Sequence, residues 1–105
     1  MEIITSTSNE IPGKKVKQIL GVVLGNTIRA RHIGRDIAAG FKTLVGGEIK
    51  SYTEMMTKAR EEAFNRMINQ AHSMGADAVI NIRFTTSAIM QGAAEILAYG
   101  TAVKL

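Results

Sequence analysis

The 105-residue chain has no cysteine, no tryptophan, one proline and two histidines. Without thiols, it can form no disulfide, cysteine-ligated zinc site, iron–sulfur cluster or thiol nucleophile. Soft heavy-metal ions prefer thiolate and then imidazole, which leaves His32 and His72, far apart in sequence, as the only strong ligands in one subunit. No apolar run approaches the ~18 residues that a bilayer-spanning helix needs. The first residues carry Glu2 and Glu10 and no basic run, unlike a secretory signal, so a cytoplasmic location and no membrane partner are expected.

Apolar residues make up 46% of the chain and mean hydropathy is +0.07, which fits one globular domain over residues 1–105 and excludes a disordered chain. The net charge of +4 is unevenly placed. Within residues 14–50, Lys14, Lys15, Lys17, Arg29, Arg31, Arg35, Lys42 and Lys50 face only Asp36 and Glu48, whereas Glu2 and Glu10 precede them and bases and acids balance after residue 50. An anionic partner would meet the first half most easily, but the bases are scattered, as in an ordinary soluble surface. Nucleic acid is not expected as a partner. Its binding calls for stacking aromatics among the bases, and Phe41, Tyr52, Phe64, Phe84 and Tyr99 lie mostly on stripes expected to be buried.

The strongest local pattern runs from Ser51 to Phe84. Ser51-Tyr52-Thr53-Glu54 reads as a capping box. Met55, Met56, Ala59, Ala63, Met67, Ala71 and Met74 then recur at spacings of three and four, with Phe64 and Ile68 widening the stripe. Glu54–Lys58 and Glu62–Arg66 are i,i+4 pairs in the favourable order. Gly75 predicts the helix stop, and Ala78 to Phe84 predicts a strand. Upstream, Glu2 to Ser6 reads as a short extended piece. Val16 to Leu24 is a strand, interrupted by a bulge or turn at Gly25-Asn26 and continued by Thr27 to Arg29. Ile33 to Leu44 reads as a shorter helix and residues 45–50 as a loop. Thr85 to Gly92 reads as a polar connection, and Ala93 to Leu105 as a last strand.

These elements give an α+β, two-layer subunit whose small, three-stranded antiparallel or mixed sheet is covered by helices on one face. The first and last strands are apolar on both sides. A sheet with an open apolar face and free edges invites symmetric self-association, so a homo-oligomer is expected.

Gly34-Arg35-Asp36-Ile37 with Gly40, Gly46-Gly47, Tyr52, Ala59-Arg60-Glu61, Gly75-Ala76-Asp77-Ala78-Val79 and Gly100-Thr101-Ala102-Val103-Lys104 together resemble the YbjQ-like family of small bacterial and archaeal proteins. The resemblance spans nearly the whole chain. It implies a dodecin-like β-α-β-β subunit with the last strand central in the sheet, assembled into a homopentameric ring. It also implies a heavy-metal-binding label and an uncharacterised function, with no catalytic residues to carry over.

The candidate sites are sparse. His72 sits at the end of the long helix, where the dipole welcomes a cation and where a structural role is the simpler account. His32 lies in a basic stretch that repels metal ions. The helix methionines are core filler rather than ligands. Symmetric copies of Glu95, Asn81 or Asp77 in a ring could still assemble a metal site between subunits. Arg31, Arg35, Asp36, Gly46 and Gly47 could form an anion or loop site, with backbone N–H groups and a helix N-terminus near the bound charge. The alternative is that Arg35 and Asp36 pin the loop while the glycines serve turn geometry. No triad or paired-carboxylate arrangement suggests an enzyme. The functional expectation is a homo-oligomeric binding or structural module without an assigned cofactor. Its alternatives are a metal site between subunits and a binder or enzyme for a small anionic ligand.

Overall fold

The computed structural model describes residues 2–30 and 47–105. Its elements are β1 (Ile4–Thr5), β2 (Gln18–Ala30), α1 (Gly47–Ser73), β3 (Ala78–Met90) and β4 (Ala93–Lys104). They form a four-stranded mixed sheet of order β1-β3-β4-β2, with β1 parallel to β3 and the other pairs antiparallel. The α+β class and the interior position of the last strand therefore hold. The expected helix at Ile33 to Leu44 lies outside the described residues.

The apolar stripe of α1 does what its period predicts. Ala59, Ala63, Met67 and Ala71 are fully buried and pack on Val23, Val79, Ile82, Ile96, Ala98 and Ala102, with Met56, Phe64 and Ile68 at the flanks. After Ser73, Gly75 takes φ +80°. Its N–H donates to His72 O at 3.0 Å, and the Ala76 N–H donates to Ala71 O at 3.1 Å. This is a Schellman motif, closed by burial of Ala71 against Ala76.

Four local expectations are corrected. First, α1 already begins at Gly47, so residues 47–50 are helical rather than a loop, and Ser51 is an internal helix residue instead of the N-cap. Glu and Lys tolerate a helix well, and the long apolar stripe carries the helix upstream past the capping signal.

Second, β2 runs without interruption through Gly25 and Asn26, and the irregularity in its pairing falls at Leu20, between Ile19 and Gly21. Gly25 is there for close packing: a Cβ on it would fall well inside contact distance of the Ala63 carbonyl oxygen and the Met67 nitrogen. The extra residue at Leu20 also separates it from Val22 and Leu24. Leu20 packs on the core under α1, whereas Val22 and Leu24 turn to the opposite face.

Third, Thr85 to Met90 extends β3 instead of forming a connection. Thr85, Thr86 and Ser87 pair with Leu97, Ile96 and Glu95, and the hairpin turns at Gln91-Gly92. Threonine suits a solvated strand as well as a polar loop, so polarity alone misled here.

Fourth, the sheet has four strands, because the extended piece near the N-terminus pairs as β1. Pairing continues beyond it: Asn81 and Ile82 donate to Ser8 O and Ser6 O at 3.0 and 3.1 Å. Two successive N–H groups face the same neighbour because Asn81, at φ 54°, forms a bulge.

Among the described residues, the sheet face away from α1 is covered at one end, where Ile11 and Leu105 pack over Ala78, Ile80 and Val103. Along β2, Ile19 (68%), Val22 (65%), Leu24 (51%) and Ile28 (57%) are exposed, as is Tyr99 of β4 (37%). The radius of gyration is 17.2 Å, against ~13 Å for a compact domain of this size. The described residues thus form an elongated layer with much of one sheet face open.

Candidate functional site

The metal candidates do not converge. His72 is exposed in the last turn of α1, at a shallow groove of about 380 Å³ shared with Glu2, Ile3, Thr5, Phe64, Ile68 and Asn69. Only Glu2 and His72 there are metal ligands of the usual kind. No group of three His, Cys, Asp or Glu residues forms among the described residues. His32, Arg31, Arg35, Asp36 and Gly46 lie outside the described residues. Gly47, assigned to the same loop, is the first residue of α1. Of the helix methionines, Met67 is fully buried and Met56 packs on the core, whereas Met74 is partly exposed.

The three residues named for a ring site have separate local roles. Asp77 Oδ2 accepts the Leu105 N–H at 2.9 Å, and its Oδ1 lies 3.6 Å from the Lys104 ammonium. The Leu105 N–H bond, with the Lys104 charge, holds its carboxyl below the usual range against the opposing effect of burial. Lys104 also donates to Gly75 O, so this cluster ties the end of β4 to the end of the helix. Asn81 shapes the β3 bulge. Glu95 accepts from Asn26 Nδ2 at 3.1 Å, across β2 and β4 on the open sheet face.

Sequence reasoning missed a polar ladder along the other flank of α1. Glu62, Arg66 and Gln70 follow at i, i+4 and i+8, and each reaches β2. The Gln70 amide oxygen accepts the Leu24 N–H at 2.7 Å, and the Arg66 guanidinium donates to Asn26 O at 2.6 Å. Glu62 pairs at 2.5 Å with both Arg29 and Arg66, and Thr27 Oγ1 donates to it at 3.4 Å. The spacing matches because four helical residues rise ~6 Å and two strand residues rise ~6.6 Å. The Arg29 hydrogen bond lowers the pKa of Glu62, helped by the charges of Arg29 and Arg66 and opposed by desolvation. The expected Glu62–Arg66 pair is present; its cross-strand partner, Arg29, carried no sequence signal. The ladder caps backbone groups on the outer edge of β2.

On the opposite flank, Phe64 of α1 stacks on Phe84 of β3 with centroids 6.3 Å apart and planes at 16°. A groove of about 570 Å³ opens beside them, lined also by Thr57, Arg60, Glu61 and Asn65. Phe84 and Tyr99 are more exposed than the predicted stripes imply, at 45% and 37%. The chemistry on display is thus an apolar face, an aromatic groove and closed polar clusters.

The chain belongs to the family described as "Putative heavy-metal-binding" (YbjQ), whose model matches residues 3–105. It is similar to a UPF0145 protein of Thermosipho melanesiensis, 63% identical over 98% of this chain and 95% of that one. It is 66% identical to a UPF0145 protein of Photobacterium profundum, over 94% and 96% of the two chains, and 62% identical to one of Archaeoglobus fulgidus, over 99% and 96%. The crystal structure of a protein of unknown function from the DUF74 family of Pediococcus pentosaceus superposes with a TM-score of 0.61 at 16% identity, covering 98% of this chain and 97% of that one. At that identity the likeness concerns the fold alone.

Proposed function

We propose that this member of the family is the subunit of a homo-oligomeric binding or structural module, a five-membered ring by family resemblance. The open sheet face supports that reading. Ile19, Val22, Leu24 and Ile28 line one side of β2 in water, and covering such side chains is worth ~1.5–3 kcal/mol each. Symmetric copies provide a cover of matching shape and constant supply. Sedimentation at micromolar concentration is expected to give a mass near five subunits. Leu24→Lys is expected to lower that mass while keeping the helical circular dichroism, because Leu24 contributes little to the subunit's own core. A monomeric wild-type protein would overturn the proposal.

A second reading, a metal site formed between subunits, has one observation in its favour: Glu2 and His72 border the same groove. Two ligands fall short of the four that hold structural zinc, so a neighbour would have to supply the rest. Calorimetry with zinc is expected to show weak binding. Sub-micromolar affinity with fixed stoichiometry, lost in His72→Ala, would establish the second reading instead.

A further inference from the structure

The groove of about 380 Å³ between β1 and the last turns of α1 combines an apolar floor with a rim of one charge sign. Backbone bonds fix β1 there: the Ile4 N–H donates to Asp77 O at 3.1 Å and the Ser6 N–H to Val79 O at 3.0 Å. The strand period puts Ile3 and Thr5 on one side, and Ile3 packs on the core. Phe64, Ile68 and His72 follow at i, i+4 and i+8 on one flank of α1, with Asn69 beside them. Ile3, Phe64 and Ile68 are partly buried and form the floor, while Glu2, Thr5, Asn69 and His72 form an exposed polar rim.

The rim selects a cation. Of the lysines and arginines that the structure describes, none lines this groove, although the chain is net positive. Its fixed charge is the Glu2 carboxylate, and His72 marks the last turn of α1, the negative end of the helix dipole. The floor then decides which cation. A metal ion would use only Glu2 and His72, two of the four ligands that structural zinc takes, and would gain nothing from Ile3, Phe64 and Ile68. An organic ammonium uses both parts. Its N–H donors suit the Glu2 carboxylate, the Asn69 amide oxygen and the Thr5 hydroxyl. Its carbon body covers the floor, where the Phe64 ring adds attraction for the positive charge. The volume lies within the ~300–1,000 Å³ of small-molecule sites.

We propose that the groove between β1 and the C-terminal turns of α1 binds a small organic ammonium ion, its charge held by Glu2 and its apolar body by Ile3, Phe64 and Ile68. The site lies within one subunit and does not depend on the homo-oligomeric reading. It competes with the metal reading for the same groove.

An NMR titration of the purified protein with phenethylamine tests the proposal, with phenethyl alcohol and hydrocinnamate as neutral and anionic analogues. The amine is expected to bind most tightly and the carboxylate least, with amide shifts confined to residues 2–5 and 64–72. Glu2→Gln is expected to weaken the amine about twofold to fivefold, the worth of an exposed ion pair, and to leave the alcohol unchanged. Asn69→Lys places a positive charge on the exposed rim; it is expected to abolish the preference for the amine while keeping the melting temperature and helical circular dichroism. Equal binding of amine and alcohol, shifts elsewhere on the surface, or an amine affinity unchanged in both variants would overturn the proposal. So would an amine that fails to bind at millimolar concentration, and sub-micromolar zinc binding lost in His72→Ala would then give the groove to the metal reading. Sedimenting mass reports on the homo-oligomeric reading separately.

Discussion

Substituting Gly25 by alanine puts the main packing contact of the subunit to the test. Helix α1 crosses β2 at this glycine, and an added methyl would overlap the Ala63 oxygen and Met67 nitrogen and come within 3.0 Å of the Arg66 carbonyl carbon. All three obstacles are backbone, so no side chain can rotate away. The helix has to lift by ~1 Å to restore ordinary carbon contacts near 3.5 Å. Lifting it loosens the fully buried Val23, Ala59, Met67 and Ala71 together and lengthens the Gln70–Leu24 and Arg66–Asn26 bonds. Overpacking usually costs ~1–3 kcal/mol, and with only backbone to yield the expected loss is about 3 kcal/mol or more. At ~4–8 °C per kcal/mol for a domain of this size, the melting temperature falls by roughly 12–24 °C. Gly75→Ala is the control, because its Cβ meets open space and only the φ of +80° opposes it, at ~1–2 kcal/mol. Urea or thermal unfolding at one fixed protomer concentration gives the comparison. A Gly25→Ala protein no less stable than Gly75→Ala would refute the close helix–strand crossing.

Glu62 and Asp77 both have lowered carboxyl pKa values. Their stabilisation is therefore present above the ordinary carboxylate range and fades as acid titrates the folded protein below it. Glu62→Gln is expected to destabilise at neutral pH and to approach the wild type below about pH 4, as measured by unfolding across pH; a gap that widens on acidification would contradict the assigned pairing. Gln70→Leu removes the acceptor for the Leu24 N–H and opens the centre of the β2 edge. Light scattering is expected to show open-ended association beyond the size of the wild-type protein, and an unchanged size distribution would remove the protective role given to the ladder.

Several features needed only local information. The stripe from Met55 to Met74 dictated a helix because its period matches 3.6 residues, and Gly75 ended it because the next step needs positive φ. The alternation of Ala93 to Leu105 dictated a strand, and Ala94, Ile96, Ala98, Gly100 and Ala102 do share its helix-facing side. Two-sided apolar strands also announced an unfinished sheet. The candidate ligands were legible only by type; no local pattern says that His72 faces a groove with Glu2, or that Asp77 is occupied by Leu105.

Tertiary structure decided the rest because the relevant partners are remote in sequence. Gly25 looked like a turn until α1 was laid across it, since a close approach and a bend both favour the residue without a Cβ. Arg29 and Glu62 are tens of residues apart, and nothing in either neighbourhood specifies their pairing. Residues 85–90 looked like a loop until β4 paired with them, because solvated strands and loops draw on the same polar residues. Whether each face of β2 is wet was settled by a single extra residue at Leu20. A one-residue shift in a period-two element turns every later side chain over, and only the pairing partner, β4, fixes where that shift falls.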